Sequence, residues 1–106
     1  MANNYKNAKL DLTATSVTTL YTCPVAKTAV FRSILVSEDT GNADTITVTI
    51  TNGSSVFSLF KVKAVAANTT VELLTAPLII EESEIVKVTA ATANRLHVTA
   101  SFLEIG

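Results

Sequence analysis

Apolar and polar residues alternate along this chain with a period of two, most cleanly from Asp44 to Thr51. There Ile46, Val48 and Ile50 fall on one face and Thr45, Thr47, Thr49 and Thr51 on the other, the pattern of a half-buried strand. The stretch Arg95 to Phe102 alternates in the same way, placing Leu96, Val98, Ala100 and Phe102 together. Between Glu84 and Thr89, Val86 and Val88 share a face opposite Ile85 and Lys87. Apolar residues never recur at helical spacing over a length that would hold a helix, and abundant threonine and valine favour strands through their β-branching. The pattern predicts an all-β chain of about eight antiparallel strands, over 8–15, 17–22, 28–37, 44–51, 55–63, 69–75, 84–90 and 95–104.

Turn residues separate these strands. Pro24 to Lys27 breaks the second from the third, and Asp39 to Asp44 is a polar loop with Gly41 and Asn42. Asn52-Gly53 between two apolar runs predicts a hairpin with a type I′ turn, whose two central positions both need positive φ. Ala66 to Asn68 and Glu81 to Ser83 mark two more turns. Short strands at roughly ten-residue spacing point to a sandwich or barrel. A jelly roll is preferred, with an immunoglobulin-like sandwich second. Residues 1–7 show no strand pattern and are expected to form a flexible N-terminal segment ahead of a single domain over 8–106.

Two strands are apolar on both faces. In 28–37, Val30, Ile34 and Val36 oppose Ala29, Phe31 and Leu35; in 55–63, Val56, Phe60 and Val62 oppose Phe57 and Leu59. A strand apolar on both faces needs cover on both, and the outer face of one thin sandwich meets water. Phe31, Leu35, Phe57 and Leu59 are therefore the candidate subunit-interface residues. A short echo, Leu20 to Pro24 against Leu73 to Pro77, reads as two strands that each end at a proline.

Composition sharpens this reading. Hydrophobic residues make up 48% and charged residues 16% of the 106, with a mean hydropathy of +0.41. So apolar a chain of one domain's length is expected to cover part of its surface with other subunits. The net charge of −1 leaves no dense basic footprint of the kind nucleic-acid binding relies on. The apolar runs, such as Ile34 to Val36 and Pro77 to Ile80, are far shorter than the roughly twenty residues of a membrane span. The first residues lack the apolar core of a secretion signal, so synthesis in a cytoplasm is expected.

Candidate chemistry is sparse. Cys23 is the single cysteine and reads as a small buried filler. His97 is the single histidine, placed mid-strand on a face opposite Leu96 and Val98. The chain has no Gly-x-Ser-x-Gly elbow and no glycine-rich phosphate loop. The acidic loop Glu38 to Asp44 would offer oxygens to calcium but lacks EF-hand spacing, and turn chemistry accounts for its residues. Glu81, Glu82 and Glu84 read as a solvated turn. Asn52-Gly53-Ser54 and Asn68-Thr69-Thr70 match the glycosylation sequon at positions where turns favour Asn anyway. No catalytic site, metal or cofactor is expected.

Several phrases in order carry a resemblance: Leu12 to Ser16 leading to Thr19-Leu20-Tyr21-Thr22 and a proline turn, Thr28 to Val36, Ala43 to Val48, and Leu78 to Val86. This order is similar to that of small structural proteins of tailed bacteriophages, over nearly the whole chain. Such relatives would carry a glycine in the first proline turn and another near 83, where Lys27 and Ser83 stand here. The resemblance implies a non-enzymatic virion component, a capsid decoration (cement) protein forming homotrimers on the major capsid protein. The polar start, including Asn3, Asn4, Tyr5 and Lys6, would then be an arm reaching the capsid. A neck, tail or fibre-base protein of the virion is the alternative. A host-adhesion or carbohydrate-binding module, drawing on Tyr5, Tyr21 and the 38–44 loop, is a third reading from a different class.

Overall fold

The computed structural model describes residues 3–106 and contains nine strands. These are β1 (Asn3–Asp11), β2 (Thr18–Thr22), β3 (Thr28–Glu38), β4 (Asp44–Asn52), β5 (Ser55–Val65), β6 (Thr70–Glu72), β7 (Leu78–Ile80), β8 (Ile85–Ala90) and β9 (Leu96–Ile105). One sheet runs β1-β9-β3, with β6 and β7 both paired to the free edge of β3; the other runs β2-β8-β4-β5. All pairs are antiparallel. The partnerships β1 with β9, β2 with β8, β3 with β6 and β7, and β4 with β5 nest inside one another. They are those of a single long hairpin, its tip at the β4–β5 turn, rolled so that successive strands alternate between sheets. This is the jelly-roll order. In an immunoglobulin-like order several consecutive strands would be sheet neighbours; here only β4 and β5 are.

The core lies between the sheets. Ile46, Val48 and Ile50 of β4 and Val86, Val88 and Ala90 of β8 meet Leu96, Val98, Ala100 and Phe102 of β9 and Ile34 and Val36 of β3. Tyr21 packs edge-on to Phe31, with ring centroids 5.3 Å apart, and Phe31 stacks on Phe102 at 4.8 Å. The alternation in 44–51, 84–89 and 95–102 thus does what its period requires.

Bulges resolve the two-faced strands. In β3 the register against β9 shifts between Phe31 and Ser33, so Ala29 and Phe31 before the shift and Ile34 and Val36 after it all face inward. One extra residue reverses the parity of everything beyond it. Phe31, expected on an outer face, is fully buried in the chain's own core, and its candidacy as an interface residue is withdrawn. In β5 two register shifts do the same. Phe57 pairs with Ile50 and Phe60 with Val48, so both point toward the core side despite the odd interval between them.

Three further expectations change. The segment over 3–7 is part of β1, paired with β9 residue for residue from Asn3 opposite Ile105 to Asp11 opposite His97. It is a strand, where a segment without strand structure was expected, and Met1 and Ala2 lie outside the described residues. Its inward positions Asn4 and Lys6 are polar, which hid the alternation; the Lys6 ammonium lies 2.9 Å from Oε1 of Glu104, buried on β9. The strand expected over 69–75 is only Thr70–Glu72, and Leu78–Ile80 supplies the rest of that strand position. The β4–β5 hairpin forms, but Asn52 pairs with Ser55, which makes Gly53 and Ser54 the central residues. Gly53 alone has positive φ, at 61°, the sign pattern of a type II′ turn.

Candidate functional site

Three carboxylates, those of buried Glu38 and Glu104 and of exposed Glu72, organise the loops and strand ends. Glu38, at the end of β3, is buried. Its Oε1 accepts from the amides of Gly41, Asn42 and Asn68, each at 3.1 Å, and its Oε2 from the Thr40 amide at 3.0 Å and the Thr40 hydroxyl. Burial alone would raise its pKa, but these donors outweigh it and hold the group at about 2. One ionised carboxylate thereby pins the 39–43 and 66–69 loops together. The acidic loop is explained by this cage, and among the described residues no three His, Cys, Asp or Glu side chains are placed to hold a metal ion.

Glu72 serves the β3 bulge. Its carboxylate accepts from the Ser33 hydroxyl, from the Ile34 amide at 2.8 Å and from the Leu74 amide at 3.2 Å. Burial opposes ionisation there too, and the hydrogen bonds win, lowering its pKa. Glu104 accepts from the Tyr21 hydroxyl at 2.7 Å and pairs with Lys6. Those two contacts hold its carboxyl below the usual range, while burial, and then the same hydrogen bond, push the Tyr21 hydroxyl up.

The remaining candidates are structural in placement. Cys23 is 1% exposed, its thiol 3.3 Å from the Lys27 carbonyl oxygen, and burial pushes its pKa up. Such a thiol is a poor nucleophile. His97 sits on the outer face with Asp11 3.3 Å from Nε2 and Asp39 3.8 Å from Nδ1. The two carboxylates flank opposite edges of the ring, so they cannot converge on one ion with it. Glu84 and Glu82 fasten the 81–84 turn, accepting from the amides of Glu81 and Ala26, both at 2.7 Å.

An apolar feature left over is the β5 rim. β5 is an edge strand whose inward side chains are poorly covered, because the facing strand position is broken into β6 and β7. Phe57 faces the core side yet is 56% exposed, and Val56 and Val62 are also largely exposed. Beside them a groove of about 270 Å³ opens between Leu59 and Phe60 on β5 and Leu73, Leu74, Pro77 and Leu78 on the broken strand. Leu59 is half-buried at its wall. The interface candidates Phe57 and Leu59 are thus brought together, whereas Leu35 stands apart on the outer face of the other sheet, paired with Thr99 and Glu72. Asn3, Asn4 and Tyr5 are exposed along β1, Tyr5 at 83%, and Lys6 is held by Glu104.

Sequence reasoning missed Val62. Its φ of 51° is a left-handed conformation that a β-branched residue rarely adopts. It occupies the second β5 bulge, where its amide donates to the Thr47 hydroxyl at 3.0 Å instead of to the β4 backbone. Only the lysines flanking it, Lys61 and Lys63, hinted at an irregular edge.

A solved structure shares this architecture. The chain is similar to a subunit described under the words "Bacillus endospore appendages form a novel family of disulfide-linked pili", with a TM-score of 0.57 over 97% of this chain and 84% of that one. The two are 13% identical, so the likeness is one of fold. No protein-family model and no curated protein sequence matches the chain.

Proposed function

We propose that this chain is a non-enzymatic structural subunit of a tailed-phage virion, a capsid decoration protein that sits on the major capsid shell as a homotrimer. The observation that carries the reading is the β5 rim: Phe57 points to the core side of its sheet but stands more than half exposed beside an open apolar groove. An apolar side chain in that position is covered when subunits meet. The buried carboxylates support the same reading, since Glu38 and Glu104 hold loops and strands together. A fold shared with a pilus subunit adds that this architecture serves repetitive assembly in at least one other protein. The disulfide linkage named for that protein does not suit this chain, whose single cysteine is buried.

The test is the native mass of the purified protein by light scattering across a dilution series. A trimer that persists on dilution, and that Phe57→Ser with Leu59→Ser dissociates while the circular dichroism spectrum is kept, is the expected result. A monomer at every concentration, or a trimer untouched by the double substitution, overturns the β5 interface. A ring of six or twelve moves the protein to the neck or tail of the virion.

A further inference from the structure

The sandwich has four sheet edges, and three of them are spoiled for pairing. β5 carries two register shifts and the left-handed Val62. β2 has five residues and a register shift between Thr19 and Tyr21. β6 and β7 have three residues each. Short length, bulges and strain are the usual protections of an edge against chance pairing. β1 has none of them: nine residues, in unbroken register with β9, at the rim of its sheet. Lysine on an edge is another protection, but Lys6 is already neutralised by Glu104 and Lys9 donates to Asn7 Oδ1 of its own strand at 3.0 Å.

We propose that the free edge of β1 pairs with β1 of a second copy, antiparallel about a twofold axis through Asn7, joining two four-position sheets into one of eight. The charge pattern of the strand selects this register. Centred on Asn7, Asn3 lies opposite Asp11, Asn4 opposite Leu10, Tyr5 opposite Lys9 and Lys6 opposite Ala8, so no like charges face each other. Tyr5 and Lys9 both point outward, as their partners Leu103 and Thr99 on β9 show by alternating with buried Phe102, Ala100 and Val98. The exposed ring of Tyr5 is then covered by a lysine stem and ammonium, twice per pair. A shift of two residues one way sets Lys6 against Lys6; the other way strands Asn3 and Asn4 without partners. A slip of one residue is excluded because it would put inward side chains on the outer face. The contact is separate from the β5 rim, so in the virion it would link one trimer to the next across a local twofold.

Asn7→Cys tests this directly. Cross-strand neighbours have Cα atoms about 4.5–5.5 Å apart, within the range a disulfide spans, and buried Cys23 does not compete. Mild oxidation of Asn7→Cys is expected to give a covalent dimer on non-reducing gels, and Asn3→Cys, displaced to the strand end, is not. In the Asn7→Cys background Tyr5→Lys should reduce dimer yield at least tenfold by facing Lys9, and adding Lys9→Glu should restore it. All these side chains are exposed, and an unchanged melting curve confirms folding. Absence of the Asn7→Cys dimer, equal cross-linking at Asn3→Cys (a head-to-tail neighbour), or indifference to Tyr5→Lys overturns the proposal. Phe57→Ser with Leu59→Ser leaves the cross-link intact, which separates failure of the twofold contact from failure of the trimer.

Discussion

Phe31 and Phe57 are two aromatic residues of outwardly similar sequence context, and truncating each should have unlike consequences. Phe31 is fully buried, stacked on Phe102 and met edge-on by Tyr21. Removing a buried phenyl group loses its transfer free energy and leaves a cavity, together about 3–5 kcal/mol. Against a total stability of about 5–15 kcal/mol for a domain, Phe31→Ala should lower the melting temperature by about 12–40 °C, taking about 4–8 °C per kcal/mol at this size. Phe57 is 56% exposed. A fully enclosed aromatic side chain hides about 150–250 Å², so less than half of that is at stake, and at about 25 cal/mol per Å² the loss is at most about 3 kcal/mol. The residual structure of the unfolded chain reduces it further. Urea unfolding followed by circular dichroism, run at two protein concentrations, separates the cases. Phe31→Ala should shift the midpoint equally at both, with an unchanged slope. Phe57→Ala should shift it mainly at the concentration where subunits are assembled. A cost below about 1.5 kcal/mol for Phe31→Ala, or one that appears only in the assembled protein, would place Phe31 at a surface and refute the β3 bulge as the explanation of its burial.

Two other outcomes follow from residues in loops and edges. Glu38 has its folded pKa lowered to about 2, so its ionised form stabilises the fold above the unfolded value near 4.5, and that contribution fades as pH falls toward 2. The urea midpoint of the wild type should therefore exceed that of Glu38→Gln at pH 7, with the gap narrowing steadily between pH 4.5 and 2; a gap independent of pH would contradict the cage of amide donors. At Val62 the left-handed conformation costs an L-residue about 1–2 kcal/mol, partly offset by the extra unfolded-state entropy of glycine. Val62→Gly should stabilise the isolated subunit by about 0.5–1 kcal/mol in thermal melts, and a lower melting temperature would show that the Val62 side chain makes contacts that outweigh its backbone strain.

Much of the fold could be read from alternation alone, because where one face is buried and the other wet, period two is enforced by burial. That condition holds for β4, β8 and β9, and their bounds agree with the strands expected over 44–51, 84–90 and 95–104 to within one residue. It fails where a bulge intervenes. In β3 and β5 an inserted residue reverses parity, so the apolar residues of one inner face looked like two faces, and Phe31 was assigned to the wrong one. Nothing in a β-branched, apolar run marks the inserted residue; its evidence lies in partners distant along the chain, the Glu72 carboxylate for β3 and the Thr47 hydroxyl for β5. β1 was hidden for the opposite reason, since its inward Lys6 is balanced by Glu104, 98 positions away. The positions where a glycine was expected near Lys27 and at Ser83 do carry strain: Ala26 has φ of 65° and Ser83 of 68°. Of the interface candidates, Phe57 and Leu59 share one rim, and what brings them to it is the break in the strand opposite, between Glu72 and Leu78.

The position of β9 has a consequence for biosynthesis. The last strand of the nine lies inside its sheet, flanked by β1 and β3, and contributes Leu96, Val98, Ala100 and Phe102 to the interior. While the ribosome is still adding residues 96–105, β1 and β3 have no common neighbour, and the aromatic stack of Phe31 lacks Phe102. The sheet can close only after the whole of β9 has emerged, so the nascent chain waits with β1 unpaired and one edge of β3 open. Pairings that span the full length of a chain are slow to form, and an incomplete sheet is open to wrong partners during the delay. The time between synthesis of β3 and of β9 is therefore the interval in which this protein is open to misfolding.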